Sequence, residues 1–244
     1  MSSSFFSKNN IKLNEIDSTN KFLYELNKTK YFNEPVIATA DYQTKGKGRN
    51  DNSWESKRGE NLLISILFNH ELKIDKQHNF SIIISLSIRK LISDFVKEKV
   101  YIKWPNDIIV SNKKISGFII DNIVRKNTVN TSIVGIGINI NQLFFNKFIP
   151  PAISLSNLTE KTYSLDDIKN RLLIYIDSYY NNLNNNHLTE FNKYLYLKNK
   201  MQTFKVNKRL IKGKILGVNE KGELYVYQNG IKKRFRVNQV KYVL

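Results

Sequence analysis

Residues 100–117, Val100-Tyr101-Ile102-Lys103-Trp104-Pro105-Asn106-Asp107-Ile108-Ile109-Val110-Ser111-Asn112-Lys113-Lys114-Ile115-Ser116-Gly117, read as three strands separated by two turns. β-Branched and aromatic residues crowd 100–104 and 108–111, where they suit a pleated, half-buried surface. Pro105-Asn106-Asp107 closes the first run as a turn, and Ser111-Asn112-Lys113-Lys114 fits a hairpin. Such short connections join antiparallel neighbours.

The pattern extends in both directions. Strands are expected over 114–125 and 130–140, with Arg125-Lys126-Asn127-Thr128 as their turn. Upstream, Asp17-Ser18 caps a helix whose apolar residues run at helical spacing to Leu26. A short buried strand follows at 36–40, then a glycine- and charge-rich loop to about Gly59, then a strand over 61–68. Residues 79–96 form a long core-facing helix through Phe80, Ile83, Ile84, Leu91 and Ile92. Ser164-Leu165-Asp166-Asp167 caps a helix to about Leu183, an Asn-rich link spans 181–186, and 188–199 is another helix. This order predicts an α+β domain over 1–199, a mixed, mostly antiparallel sheet with helices on one side. From Thr203 onward, short strands alternate with the hairpin turns Asn219-Glu220-Lys221-Gly222 and Gln228-Asn229-Gly230. They predict a small C-terminal β-barrel over 200–244 that leans on the main domain.

A chain of 244 residues can build one sizeable core plus such a satellite. It has no cysteine, which excludes disulfides, thiolate catalysis and Cys-ligated metal and fits a reducing cytoplasm. His70, His78 and His187 are scattered singly, so no resident metal is expected. The opening Met1-Ser2-Ser3-Ser4-Phe5-Phe6-Ser7-Lys8 lacks the order of a secretory signal, and no run is apolar enough to span a membrane. A cytoplasmic protein is expected. The net charge of +18 would attract polyanions. Its lysines are spread along the whole chain beside abundant Asn and Ile, which reads as compositional bias rather than a focused nucleic-acid surface.

Chemistry concentrates in three places. The loop Gln43-Thr44-Lys45-Gly46-Lys47-Gly48-Arg49 joins glycines, which let a ligand approach the backbone, to cations suited to carboxylate or phosphate oxygens. It is neither a P-loop nor a dinucleotide fingerprint, and taken alone it reads more readily as a solvated flexible loop than as a site. Lys103-Trp104-Pro105-Asn106-Asp107 sets a cation, a flat ring, an amide and a carboxylate at a strand end, more than a plain turn requires. Lys114-Ile115-Ser116-Gly117 opens the next strand and is brought beside that turn by the hairpin. Gly135 and Gly137, inside the strand 130–140, mark either a bulge or a place where a ligand packs on the sheet.

Taken in order, Asp17-Ser18-Thr19-Asn20, Gln43-Thr44-x-Gly46-x-Gly48-Arg49, Trp54, Gly59-x-Asn61-Leu62, Lys103-Trp104-Pro105-Asn106-Asp107, Lys114-x-x-Gly117 and Gly135-x-Gly137-x-Asn139 resemble the successive motifs of the biotin protein ligases. The resemblance covers about 11–160, and the tail is similar to that family's small barrel. It implies a fold like class II aminoacyl-tRNA synthetases. It also implies ATP and biotin as substrates, magnesium carried with ATP, and a biotin carboxyl carrier protein domain, as in acetyl-CoA carboxylase, as acceptor.

By the same resemblance, Ser18, Thr19, Asn20, Gln43, Gly46, Lys47, Gly48, Arg49, Lys114, Gly117, Gly135 and Gly137 are expected to bind biotin. Lys47, Arg49, Trp54, Lys103, Asn106 and Asn139 are expected to bind ATP. Lys114 would bridge the biotin carboxylate and the α-phosphate, with Lys103 and Arg49 supporting charge and Asp107 orienting or deprotonating the acceptor amine. Only about 16 residues precede the Ser18 helix, too few for the DNA-binding domain of some members. A ligase without specific DNA binding, monomeric or homodimeric, is expected.

Lys47 stands where arginine is common in that family, and Asn50, Asp51 and Asn52 replace a second Gly-Arg pair. Lysine loses the bidentate fork, so weaker retention of the adenylate is expected. The rival readings are a lipoate ligase or octanoyl transferase, a basic nucleic-acid-binding module, and a non-catalytic biotin sensor.

Overall fold

Alternating burial along the strands builds a seven-stranded sheet in a computed structural model, which describes residues 9–30, 32–49, 52–182 and 187–243. The leader stretch 1–8, Asn50 and Asp51 of the loop, and 183–186 of the Asn-rich link lie outside the described residues. The strands are β1 (Asn10–Ile16), β2 (Val36–Gln43), β3 (Leu62–Lys73), β4 (Val100–Lys103), β5 (Asp107–Val110), β6 (Lys113–Arg125) and β7 (Thr128–Ile138). Their order is β1-β2-β3-β7-β6-β5-β4. Every neighbouring pair is antiparallel except β1 and β2, which run parallel because helix α1 (Thr19–Thr29) crosses between them. β1 was not expected from sequence. It lies at the sheet edge with no fully buried residue, so its apolar signal is thin.

Both faces of the sheet carry apolar side chains. Ile37, Ile64, Ile66, Phe68, Val134 and Ile136 point into the main core beneath α2 (Gln77–Ser93), α4 (Leu165–Tyr180) and α5 (Leu188–Lys193). The alternate residues Val36, Ala38, Leu67 and Ile133 pack on Leu23 of α1, on the opposite face. The expectation of helices on one side therefore holds for the later helices and needs correction for α1. The uninterrupted run Val36-Ile37-Ala38 was the sign of a strand covered on both sides. α1 covers only the part of its face over β2, β3 and β7, leaving the sheet bare toward β6 and β5.

Two boundaries differ from expectation for local reasons. A short helix α3 (Leu155–Thr159) is closed by a reciprocal Ser154–Asn157 capping box in a stretch without helical periodicity. α5 stops at Lys193 because the chain then pairs with the edge strand β4. Ile102 N donates to Tyr194 O at 2.8 Å and Tyr196 N donates to Ile102 O at 2.8 Å. Covering an edge in this way removes a template for aggregation.

The C-terminal strands are β8 (Met201–Val206), β9 (Arg209–Val218), β10 (Leu224–Gln228), β11 (Ile231–Phe235) and β12 (Lys241–Val243), all antiparallel, in the order β11-β10-β9-β8-β12. Among the described residues no ladder joins β11 to β12, so the five strands of the expected barrel are not closed into a ring by hydrogen bonds. Phe204, Ile215, Leu224, Val226 and Phe235 belong to the main core, which is how this small unit leans on the larger one. Among the described residues, no helix is long and apolar enough to cross a membrane.

Candidate active site

The bare part of the α1 face forms a pocket open to solvent. Its walls come from the start of α1, the end of β2, the glycine loop, the start of β3, the middle of β6 and the end of β7. The N-terminus of α1 supplies a buried polar cluster. Thr19 N donates to Gln43 Oε1 at 2.8 Å, and the Thr19 hydroxyl lies 2.6 Å from Ser65 Oγ and 3.0 Å from Gln43 Oε1. Ser65 Oγ donates to Asn20 Oδ1 at 2.5 Å, and Asn20 Nδ2 donates to Asp121 Oδ2 at 2.9 Å. These bonds fix the Gln43 and Asn20 amides. Neither N–H of Gln43 Nε2 is consumed by them, so both donors remain for a ligand. Ser18 caps α1, its Oγ accepting from Lys21 N at 3.5 Å.

The opposite end of the pocket is cationic. Asp107 Oδ1 lies 2.6 Å from Lys114 Nζ, and its Oδ2 lies 2.8 Å from Lys103 Nζ. Burial pushes the Asp107 carboxyl pKa up, but the two ammonium groups outweigh that and hold it below the ordinary range. It is therefore a fixed anion that aligns two lysines. The half-buried Arg49 guanidinium joins this end and donates to Asn238 Oδ1 at 2.5 Å. Burial lowers its pKa and the Asp107 charge opposes that shift. Gly117 makes room for the arrangement, since a Cβ there would sit 3.0 Å from Lys114 Cε and Nζ.

The glycines of β7 do not mark a bulge. The β3–β7 and β6–β7 ladders run without a shift through Gly135 and Gly137. A Cβ at Gly135 would lie 2.3 Å from Asn20 Oδ1, and one at Gly137 2.3 Å from Trp54 Cε2. Their missing side chains let the Asn20 amide and the Trp54 ring lie flat on the sheet as the pocket floor. The Trp54 indole N–H is buried without a partner, and Lys114 Nζ stands 5.5 Å from the ring centroid.

The loop closes on itself as a small hairpin. Lys47 bridges Ser53, Gly48 N donates to Asn52 O at 2.7 Å, and Trp54 N donates to Gly46 O at 2.9 Å. A Cβ on Gly46 would lie 2.7 Å from Trp54 O, so this glycine serves the loop's own close pass rather than the pocket wall. Lys47 and Gly48 do line the pocket.

Of the residues expected from sequence, Ser18, Thr19, Asn20, Gln43, Lys47, Gly48, Arg49, Trp54, Asn106, Lys114, Gly117, Gly135 and Gly137 line this one pocket. Asn106 does so with its Nδ2 donating to Phe118 O at 2.6 Å. Asp107 stands one contact behind the wall, through Lys114, and Lys103 a further contact behind, through Asp107. Asn139 is not on the wall. It is buried, and its amide is spent on Ile153 O at 3.1 Å and Lys114 O at 3.5 Å, which pins the start of β6 to 151–155.

Ser65 and Asp121 were missed. Ser65 is the lone polar residue in the apolar stretch Leu62 to Phe68, and Asp121 is the lone charge between Ile115 and Ile123; those were the available signals. Tyr242 was also missed. Its ring lies 5.3 Å from Lys103 Nζ, and its buried hydroxyl has no partner. No group of three or more His, Asp or Glu suited to a metal exists among the described residues.

A model of the Biotin/lipoate A/B protein ligase family matches residues 13–139. The bifunctional ligase/repressor BirA of Bacillus subtilis is 27% identical over 228 residues, covering 89% of this chain and 69% of that protein. A biotin–protein ligase of Homo sapiens is 34% identical over 112 residues, covering 43% of this chain and 15% of that protein. The solved biotin protein ligase from Aquifex aeolicus in complex with biotin and ATP superposes with a TM-score of 0.80 at 25% identity, covering 97% of this chain and 99% of that one.

Proposed function

Because the chain belongs to the Biotin/lipoate A/B protein ligase family, we propose that it activates biotin with ATP to biotinoyl-5'-AMP and transfers the biotinoyl group to a lysine of a biotin carboxyl carrier protein domain. The observation that carries this reading is the two-ended pocket. At one end are the neutral hydrogen-bonding groups Thr19, Asn20, Gln43 and Ser65, and at the other the cations Lys47, Arg49 and Lys114. A urea ring with an acid tail matches that order. The dithiolane of lipoate would leave the Gln43 amide N–H groups desolvated and unpaired, at about 1–3 kcal/mol per buried group.

In the first step a biotin carboxylate oxygen attacks the α-phosphorus of ATP and pyrophosphate leaves. Lys114 stands between the two anions, and Asp107 keeps it and Lys103 in place. Magnesium carried with the nucleotide as part of that substrate would shield its phosphates. Among the described residues the carboxylate beside these cations, Asp107, is already shared by two lysines and does not suit a resident metal. In the second step the acceptor amine attacks the acyl carbon and AMP leaves. A carboxylate held so acidic is a weak base, so we assign Asp107 to orienting lysines rather than removing the amine's proton.

The expected division into 1–199 and 200–244 follows the change from the main sheet to the C-terminal one, and the absence of cysteine suits a cytoplasmic setting. The test is transfer. Incubation with biotin, ATP, magnesium and a carrier domain should add one biotinoyl mass to the domain, and none when its acceptor lysine is arginine. Equal or faster transfer of a lipoyl group would overturn the assignment.

A further inference from the structure

The solvent face of the C-terminal sheet carries charge of one sign. Residues 201–244 hold 11 of the 39 lysines and arginines and only two of the 21 acidic residues, Glu220 and Glu223. Phe204, Ile215, Leu224, Val226 and Phe235 are buried, so the residues beside them along each strand face outward. The strand registers then set those residues in rows. Lys232, Tyr227 and Lys214 lie side by side across β11, β10 and β9. Arg234 lies beside Tyr225, Lys212 beside Thr203, and Lys205 beside Lys241. What the linear sequence scatters, the ladders gather.

None of these six cations makes an ion pair among the described residues. Like charges directly opposite one another, as in Lys205 and Lys241, weaken a sheet, and no acid on this face offsets them. Tyr227 is accessible between the cations and Tyr225 is partly exposed beside it. Tyr227 is 46% exposed, and Lys232 Nζ stands 3.9 Å from the Tyr225 ring centroid. Five strands at about 4.8 Å spacing make a platform roughly 19 Å across, with a cation on every strand except β10, which supplies the rings.

We propose that this face binds single-stranded nucleic acid without sequence preference, with phosphates on the six cations and bases stacked on Tyr227 and Tyr225. Charge alone would equally suit an acidic protein. The rings favour a nucleic acid, because every base has a flat face to lay on them and the carboxylate side chains of an acidic peptide do not. The face points away from Tyr242 and Lys103, so the proposal stands independently of the biotin reaction.

The test is fluorescence anisotropy of the full chain with a labelled 20-nucleotide oligo-dT between about 50 and 200 mM salt. Six neutralised phosphates predict a slope of log affinity against log salt near −4, from about −0.7 each. Tyr227→Ala is expected to weaken binding about tenfold at an unchanged slope, and Lys212→Glu with Lys232→Glu at least tenfold with a shallower slope. Biotin transfer by these variants should be unaltered, which shows that they fold. Absence of binding at 50 mM salt would overturn the proposal. So would equal competition by polyglutamate together with an unaffected Tyr227→Ala, which would mark an acidic protein as the partner.

Discussion

At the level of single residues, the pocket depends on groups that hold other groups. Asp107 binds Lys103 and Lys114 through separate oxygens. Asp107→Asn removes the charge both lysines answer to while keeping the shape. The expected result is a fall of about 10²–10³ in the rate of biotinoyl-adenylate formation, with biotin affinity changed less than threefold, checked by single-turnover kinetics beside calorimetric titration. Retention of normal adenylation with selective loss of acceptor transfer would instead restore the general-base role for Asp107. The lysines, the carboxylate and the glycine loop were legible because unusual residue types cluster in short motifs. Ser65 and Asp121 were not, since the bonds that recruit them join β3 and β6 to α1 across 45 and 101 residues of sequence.

Among the elements, β7 shows how the sheet shapes the pocket. Gly135 lies under Asn20, and Gly135→Ala would place a methyl 2.3 Å from its Oδ1. The amide must then leave the sheet and break its bonds to Ser65 and Asp121. A loss of about 1–3 kcal/mol in stability and about tenfold in biotin affinity is expected, read by thermal unfolding and titration calorimetry.

β3 carries a second testable feature at its far end. His70, whose Nε2 lies 3.0 Å from Ser132 Oγ beside the Phe80 ring, is pushed by burial from about 6.5 down to about 4. Above pH 6.5 it is neutral whether folded or unfolded. Between 6.5 and 4 only the unfolded chain takes up the proton, so stability should fall with pH across that window and level off below it. The loss should reach about 2 kcal/mol after allowance for solvent screening, and His70→Gln should flatten that part of a denaturation-against-pH curve.

Most of these elements were legible from period and capping. The exceptions have physical causes. β1 buries too little to show a pattern, and α5 is cut short because residues 194–196 are recruited to the edge of β4.

For the molecule as a whole, the C-terminal sheet completes the cationic end of the pocket. Asn238 accepts from Arg49, Tyr242 lies against Lys103, and Gly222 O accepts from Trp104 Nε1 at 3.0 Å. None of these contacts was visible in sequence, because they join positions more than 110 residues apart. Tyr242→Ala is expected to slow adenylation about tenfold with biotin affinity preserved, and Tyr242→Phe, which keeps the ring, to stay within about threefold of the parent. Progress curves for pyrophosphate release would separate the two variants.

The central claim is that one pocket joins an uncharged urea end to a cationic acid-activating end. The most direct measurement uses ATP labelled at the α-phosphate, with biotin and magnesium but no acceptor, and separates the labelled products. The prediction is a labelled species that requires biotin, is not formed with lipoate, and disappears in Lys114→Ala. Undiminished labelling in Lys114→Ala, or an adduct formed as readily with lipoate as with biotin, would contradict it.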